Sequence, residues 1–547
     1  MPWIETPGAV RSRGPSLYPQ ESRWLRIQKR VNMTARSATA SGLHEPAPIK
    51  SQLHKSRWPQ VAALLAIFSI GGFLRLWQLG AVGYNSDEAV YSGTAAALAG
   101  DQRLAQFFPV FRAHPMMLQT VLSWVYRTGV SDVKGRTVVV VFGLATVGVT
   151  YLLGRLLYNQ AVGLVAAAFM AVMPYAVVVS RQVLLDGPAT LFVTGALYCT
   201  ARYCRDRHPP WLYAAAATMG LAILTKETCV ILLAGGALYL LGARDVRPSL
   251  RAAAVSGAVL VAVIAGWWGA LALSGRAGTG GQYALWQFLR RQNHPVYFYL
   301  TTLPASLGYV LLALAIVGIC WQRNRGWRES LLIWWAATAV LTYSLLPIKG
   351  FQYLEPIAPV LAIWAALAID LAREKLAGKA RIGAATTACI AIVCATMAIP
   401  AWQTINPSAS TTFLAGSGGL PGGREAGQWI AASLPQGATI LTIGPSMANV
   451  LEFYGSRHSY ALAVSPNNRN PSYVPVYNPD AELRQGAIQY LVWDSFSAAR
   501  SQAFGLKLLS YVAKFRASLI HTQYETTTSH GHVVSVPVIR IYEVVRT

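Results

Sequence analysis

Charged residues are scarce in this chain, and those able to do chemistry fall in a few short clusters. "GYNSDEAVY" (83–91) sets two adjacent carboxylates, Asp87 and Glu88, and "SRQVLLDGPATLF" (180–192) carries Arg181 and Asp186. "LTKETC" (224–229) holds Lys226 and Glu227, "RRQNHPVYFYLTTLP" (290–304) holds Arg291 and His294, and "LPIKGFQYLEPIAP" (346–359) holds Lys349, Tyr353 and Glu355. A carboxylate can take the proton of an attacking hydroxyl, and Lys, Arg and Tyr can neutralise a departing phosphate, so the set suits a reaction on a phosphorylated lipid. Each cluster also has an ordinary structural reading. Asn85 with Glu88 three residues later has capping-box spacing, and Asp186 with Gly187 and Pro188 suits a helix start. Arg181 suits a helix C-terminus, Lys226 and Glu227 a local ion pair, and Tyr297, Phe298 and Tyr299 an interfacial belt.

The elements that must position these groups are membrane spans. With 54% hydrophobic and 12% charged residues over 547 positions, the chain is too apolar for an ordinary soluble protein. A span needs roughly 17–25 apolar residues. Runs that reach or approach this lie at 59–79, 137–157, 161–180, 187–204, 211–225, 228–243, 251–273, 299–320, 329–346, 353–372 and 381–400, about eleven in all. The segment 116–128 contains Gln119 and Arg127 and reads as an amphipathic helix on the surface.

The formal charge of +24 would suggest nucleic acid in a soluble protein, but the basic residues sit between the apolar runs. With residues 1–58 as a disordered basic cytoplasmic tail, every inner loop is basic, from Arg155 through Arg202, Arg205 and Arg207 to Arg373, Lys375, Lys379 and Arg381. The clusters above then share the outer face, in a first outer loop (80–136), a long outer loop (274–298) and the turns between spans. The six cysteines lie in or beside apolar runs without zinc-ligand spacing. After residue 402 a Gly/Ser/Pro-rich linker (403–422) leads to 423–547, where "REAGQWIAASL" has helical periodicity and "ATILTI", "IQYLVWD" and "HVVSVPVIRIYEVV" read as strands. The expected fold is a polytopic all-α membrane protein with a transmembrane domain at 59–402 and an outer α/β domain at 423–547.

The ordered set of motifs resembles the membrane glycosyltransferases of the protein O-mannosyltransferase and lipid A aminoarabinose transferase type, which share the GT-C fold and use polyprenyl-phosphate-linked sugars. "DEAVY" is similar to the first-loop acidic motif of that family, and "HPMMLQTVLSW" (114–124) to its Pro-rich segment before a surface helix. The resemblance implies an extracytoplasmic site with Asp87 as catalytic base and Glu88 as its acidic neighbour. It implies that Arg181, Asp186, Lys226, Arg291, Lys349 and Tyr353 serve the donor's phosphate or sugar. Tyr91, His114, His294 and Glu355 complete the candidate set. The chain departs from the family where Ala113, His114, Pro115 and Met116 stand in place of a Glu-Lys-Pro-Pro segment, and where Glu355 replaces an apolar residue and could answer a particular sugar or pair with Lys349.

The activity implied by the resemblance is transfer of a sugar from a polyprenyl phosphate to a hydroxyl of a protein, lipid or glycan, by one inverting displacement. No cofactor is required by that chemistry; a divalent cation, if used, would fall to Asp87 and Glu88. The expected partners are the lipid-linked donor, the acceptor and the bilayer, with no nucleic acid. A polytopic transporter or lipid-linked sugar flippase would use many spans too, but it would place its charges near mid-membrane, often in repeated halves. Here they lie at one edge, and no repeat of fixed period is visible.

Overall fold

The computed structural model describes residues 58–547 except 112–113, part of 276–291, 323–325, 378–380, 407–419, 465–472, 530–531 and 546–547. The tail expected at 1–58 lies, but for Trp58, outside the described residues, as do Arg291 and most of the expected linker.

Every apolar run coincides with helix. The central one is the Phe351–Lys375 segment, with 94% of its apolar window buried in protein, whereas the Leu250–Leu273 helix has 6% and the Ile382–Ile405 helix 11% buried. Helices this apolar and this uncovered are stable only against hydrocarbon, so the periphery faces lipid. Among the described residues five helices are long and apolar enough to cross a bilayer, or six with the bent pair Phe298–Leu307 and Tyr309–Trp321. That pair turns by 107° at Gly308, whose φ of 105° favours glycine and where a Cβ would meet the Met397 side chain at 2.8 Å. The run at 161–180 is likewise divided into Gln160–Val172 and Pro174–Val179, because Pro174 has no N–H to continue the ladder.

Two arginines, buried Arg75 and half-buried Arg181, tie the first span to its neighbours. Arg75, near the end of the Trp58–Leu76 helix, donates to Ser180 Oγ at 2.8 Å and to the carbonyls of Ala171 at 2.7 Å and Met170 at 3.2 Å. Arg181 returns to the same place and donates to the carbonyls of Leu74, Arg75 and Trp77 at 2.9, 3.0 and 2.7 Å. These are the acceptors a helix C-terminus leaves open, and a buried carbonyl needs a partner.

The C-terminal α/β part carries a five-stranded sheet in the order β2-β1-β3-β5-β4, with β1 Thr439–Thr442, β2 His458–Ala461, β3 Tyr490–Asp494, β4 Ser518–Ser529 and β5 His532–Glu543. The first three strands are parallel, which requires crossovers, and the Pro445–Gly455 helix supplies the one between β1 and β2. β4 and β5 form a long antiparallel hairpin that joins the sheet through β3.

This part is not a separate body: residues Gln60–Thr547 form one compact unit. Tyr84, Ala89, Leu104, Phe108, Leu118 and Leu122 of the first outer loop share a hydrophobic core with Leu420, Ala426, Ile430, Val450, Leu451 and Phe453. The Met117–Tyr126 helix, expected on the surface, buries Leu118, Leu122 and Tyr126 in this shared core and leaves Trp124 exposed. At Gly93 the Phe108 ring approaches so closely that a Cβ would lie 2.3 Å from it. Deleting residues 420–547 therefore removes one wall of the first outer loop. The truncated protein should aggregate on size-exclusion chromatography in detergent where the full chain elutes as a single peak; a monodisperse truncated protein would show that the shared core is dispensable.

Candidate active site

The first outer loop begins with a helix, Ser86–Ala99, whose start is fixed by a complete capping box. Asn85 Oδ1 accepts the Glu88 N–H at 3.0 Å, and Glu88 Oε2 accepts the Asn85 N–H at 3.1 Å. The rest of the Glu88 carboxylate is taken up by Arg136, which donates through Nε to Oε1 and through Nη2 to Oε2, both at 2.8 Å, and by the Val183 N–H at 3.0 Å. Arg136 also donates to the carbonyls of Leu79, Val82 and Gly83. Glu88 is wholly buried and each of its oxygens accepts two hydrogen bonds, which removes it from the catalytic set and from any metal pair with Asp87.

Asp87, one residue earlier, faces the other way and is exposed to solvent. It lies within electrostatic reach of His114, Asp186 and Lys226, and the space these groups share is the candidate cleft. Desolvation by the surrounding protein, with Asp186 and Glu88 adding to it, holds the Asp87 carboxyl above the usual carboxylate range against the pull of His114 and Lys226.

The neighbouring acids are each committed. Asp186 opens the Asp186–Asp206 helix, and its Oδ1 accepts from Lys226 Nζ at 2.6 Å. Lys226 lies at the break between the Pro209–Thr225 and Val230–Gly242 helices, with its ammonium 4.1 Å above the Tyr353 ring. Glu227 takes His114, with Nδ1 at 3.1 Å from both carboxylate oxygens. Burial would raise the Glu227 carboxyl, but the imidazole outweighs it and pulls the group down to about 2. Burial would likewise lower His114, and Glu227 overrides it to raise the imidazole above its ordinary value. Tyr91 sets its ring edge-on to His114 at 5.8 Å between centroids.

Glu355 is buried on the Phe351–Ile357 turn, near Asp186, Arg75 and Lys226, with Oε2 lacking a hydrogen-bond partner. Its pairing with Lys349 is not found. Lys349 donates instead to the carbonyls of Leu346 at 2.8 Å and His294 at 3.2 Å, which locks the 346–350 turn to the long outer loop. His294 stacks on Phe298 at 4.1 Å. The structure thus gathers Asp87, Tyr91, His114, Asp186, Lys226, Glu227 and Tyr353, while Arg181 and Lys349 donate to backbone carbonyls and His294 stacks on Phe298. Among the described residues no group of three or more His, Cys, Asp or Glu could hold a metal ion.

Residues 113–268 match the dolichyl-phosphate-mannose-protein mannosyltransferase family, and residues 293–407 match the Alg9-like mannosyltransferase family. The chain superimposes on the crystal structure of ArnT from Cupriavidus metallidurans bound to undecaprenyl phosphate, with a TM-score of 0.63 and 14% identity over 90% of this chain and 99% of that one. The chain has the GT-C glycosyltransferase fold. The archaeal oligosaccharyltransferase AglB from Archaeoglobus fulgidus, in complex with an inhibitory peptide and a dolichol-phosphate, shares this GT-C fold at 13% identity and a TM-score of 0.56 over 88% of this chain and 74% of that one. Among curated protein sequences none matches the chain.

Two residues bonded to this cluster have no clear mark in the sequence. Arg136 stands just before an apolar run, close to Lys134, and reads from sequence as a boundary residue; no spacing ties it to Glu88. Tyr283, whose Oη lies 3.0 Å from His114 Nε2, had no signal beyond its place in the long outer loop.

The Glu88–Arg136 pair gives a direct test. Arg136→Ala leaves a buried carboxylate without its counter-ion, at a cost of about 3–5 kcal/mol. A marked fall in Tm and loss of activity are expected in detergent. The double replacement Glu88→Ala/Arg136→Ala should recover part of the stability, as read by the same thermal unfolding; equal loss in both would show that the pair is not what Arg136 serves.

Proposed function

We propose that this chain transfers a sugar from a polyprenyl-phosphate-linked donor to a hydroxyl of an acceptor on the outer side of the cell membrane, with Asp87 as the general base. The observation that carries this reading is the division of the acids around the cleft. Glu88 is consumed by Arg136, Asp186 by Lys226 and Glu227 by His114, and Asp87 alone of the four faces solvent without an ion-pair partner of its own. A base must meet its substrate, and among these acids Asp87 is placed to do so.

In the proposed step Asp87 accepts the acceptor's hydroxyl proton, and the oxygen attacks the anomeric carbon as the bond to phosphate breaks on the opposite face. The electron pair leaves with the phosphate oxygen, and the configuration at the anomeric carbon inverts. Lys226 and protonated His114 provide positive charge at the cleft, so the leaving group can be stabilised by fixed cations. The two mannosyltransferase families matched along the membrane part support a lipid-linked sugar as donor. The basic loops support a cytoplasmic N-terminus, with the site and the α/β part outside the plasma or inner membrane.

Asp87→Asn should insert and fold like the parent yet lose transfer by about 10²-fold or more. In the parent, activity should fall with acidification as Asp87 protonates, with a midpoint above the value near 3.9 of a free aspartate, because the folded group binds its proton more tightly. Incubation of the purified protein with a panel of polyprenyl-phosphate sugars checks both. Full activity in Asp87→Asn, or consumption of no donor by the folded parent, would sink the reading.

A further inference from the structure

Glu227, His114 and Tyr283 form a continuous hydrogen-bonded chain. Glu227 holds His114 Nδ1 at 3.1 Å, and His114 Nε2 meets Tyr283 Oη at 3.0 Å with the two rings edge-on at 5.0 Å. The members come from the His114 segment before the Met117–Tyr126 helix, the turn Glu227–Cys229 and the long outer loop, so three separate parts of the chain converge on it. Tyr283 is buried and within electrostatic reach of Asp87 and Tyr353, which places it at the cleft that holds the base.

The imidazole has two states with different consequences. With Nδ1–H donated to Glu227, a neutral ring leaves Nε2 as an acceptor, and the Tyr283 O–H points back at it. In the imidazolium Nε2 also carries a proton and donates to the Tyr283 oxygen, so the Tyr283 O–H must turn elsewhere. A single proton on His114 thus decides whether Tyr283 offers a donor to the cleft.

We propose that Tyr283 is a catalytic residue for the transfer reaction, donating its O–H to the departing phosphate oxygen when His114 is protonated, and that Glu227 holds His114 in that state. This rests on the reading of the chain as a lipid-phosphate-dependent transferase. No covalent step is added: the electron pair of the broken bond stays on the phosphate oxygen, which Tyr283 stabilises while the acceptor's proton goes to Asp87. The groups facing His114 among the described residues are Glu227, Lys226, Asp87, Asp186, Tyr91 and Tyr283. Lys226 opposes its protonation, and Glu227 and Asp87 favour it.

The test is to measure donor turnover, and its inhibition by undecaprenyl phosphate, against pH on full-length protein in detergent. In the parent, kcat should fall and inhibition weaken on the alkaline side as His114 loses its proton. Tyr283→Phe should lower kcat by roughly 10- to 100-fold, the worth of a hydrogen bond to a charged group, with little change in donor KM. His114→Gln should flatten the alkaline limb, and Glu227→Gln should move that limb to lower pH, since the imidazolium loses its counter-ion. Folded His114→Gln and Glu227→Gln proteins that keep the parent's alkaline limb would overturn the relay while leaving the transferase reading intact. A parent that consumes no donor and ignores undecaprenyl phosphate would instead overturn the reading beneath it.

Discussion

The buried pair of Glu88 and Arg136 is the contact on which the site depends. Arg136 belongs to the Asp132–Leu157 helix, Glu88 to the first-loop helix, and Val183 to the segment leading to Asp186; one carboxylate joins all three. The desolvation of two charges is offset only because the carboxylate accepts four hydrogen bonds and all five guanidinium protons are used, three of them on the carbonyls of residues 79, 82 and 83. The capping box and the ion pair share the same carboxylate, so the helix that carries Asp87 can neither slide nor rotate without breaking both. Asp87 is aimed by the residue beside it.

A second layer of restraint comes from the C-terminal α/β part. Tyr454 accepts the Tyr84 N–H at 2.9 Å and donates to Asp132 at 2.6 Å, Arg424 donates to the carbonyls of Gly80 and Ala81, and Asn449 donates to Ser86 Oγ at 2.9 Å. These bonds hold the start of the Ser86–Ala99 helix against the α/β part. A short loop between spans has little apolar surface with which to order itself, and the shared core with Phe453, Val450 and Ile430 supplies what it lacks.

How much of this the sequence disclosed depends on the range of each interaction. The apolar runs were legible because a bilayer demands length and hydropathy, which are local properties, and each one is helix in the structure. Their breaks at Pro174 and Gly308 were not drawn from the runs, although each has a single residue as its cause. The cap formed by Asn85 and Glu88 was legible from a three-residue spacing, and the strands β1, β3 and β5 from apolar runs. β2 and the Thr-rich β4 were passed over because polar edge strands carry no hydrophobic signature. The roles of Glu88, Arg181 and Lys349 depend on partners that sequence does not bring together: Arg136 is 48 positions from Glu88, and Leu74 is 107 from Arg181. A carboxylate beside a base reads as chemistry until its partner is known. The association of His114 with both Glu227 and Tyr283, 113 and 169 positions away, was beyond any spacing argument.

The proposed reaction is a direct displacement, with one accessible carboxylate acting as base and no second one placed as a nucleophile among the described residues. Its most direct test is the anomeric configuration of the product, read by NMR from the one-bond carbon–hydrogen coupling of the transferred sugar and compared with that of the polyprenyl-phosphate donor. Inversion at the anomeric carbon is the predicted result; a product that keeps the donor's configuration would contradict single displacement and the role given to Asp87.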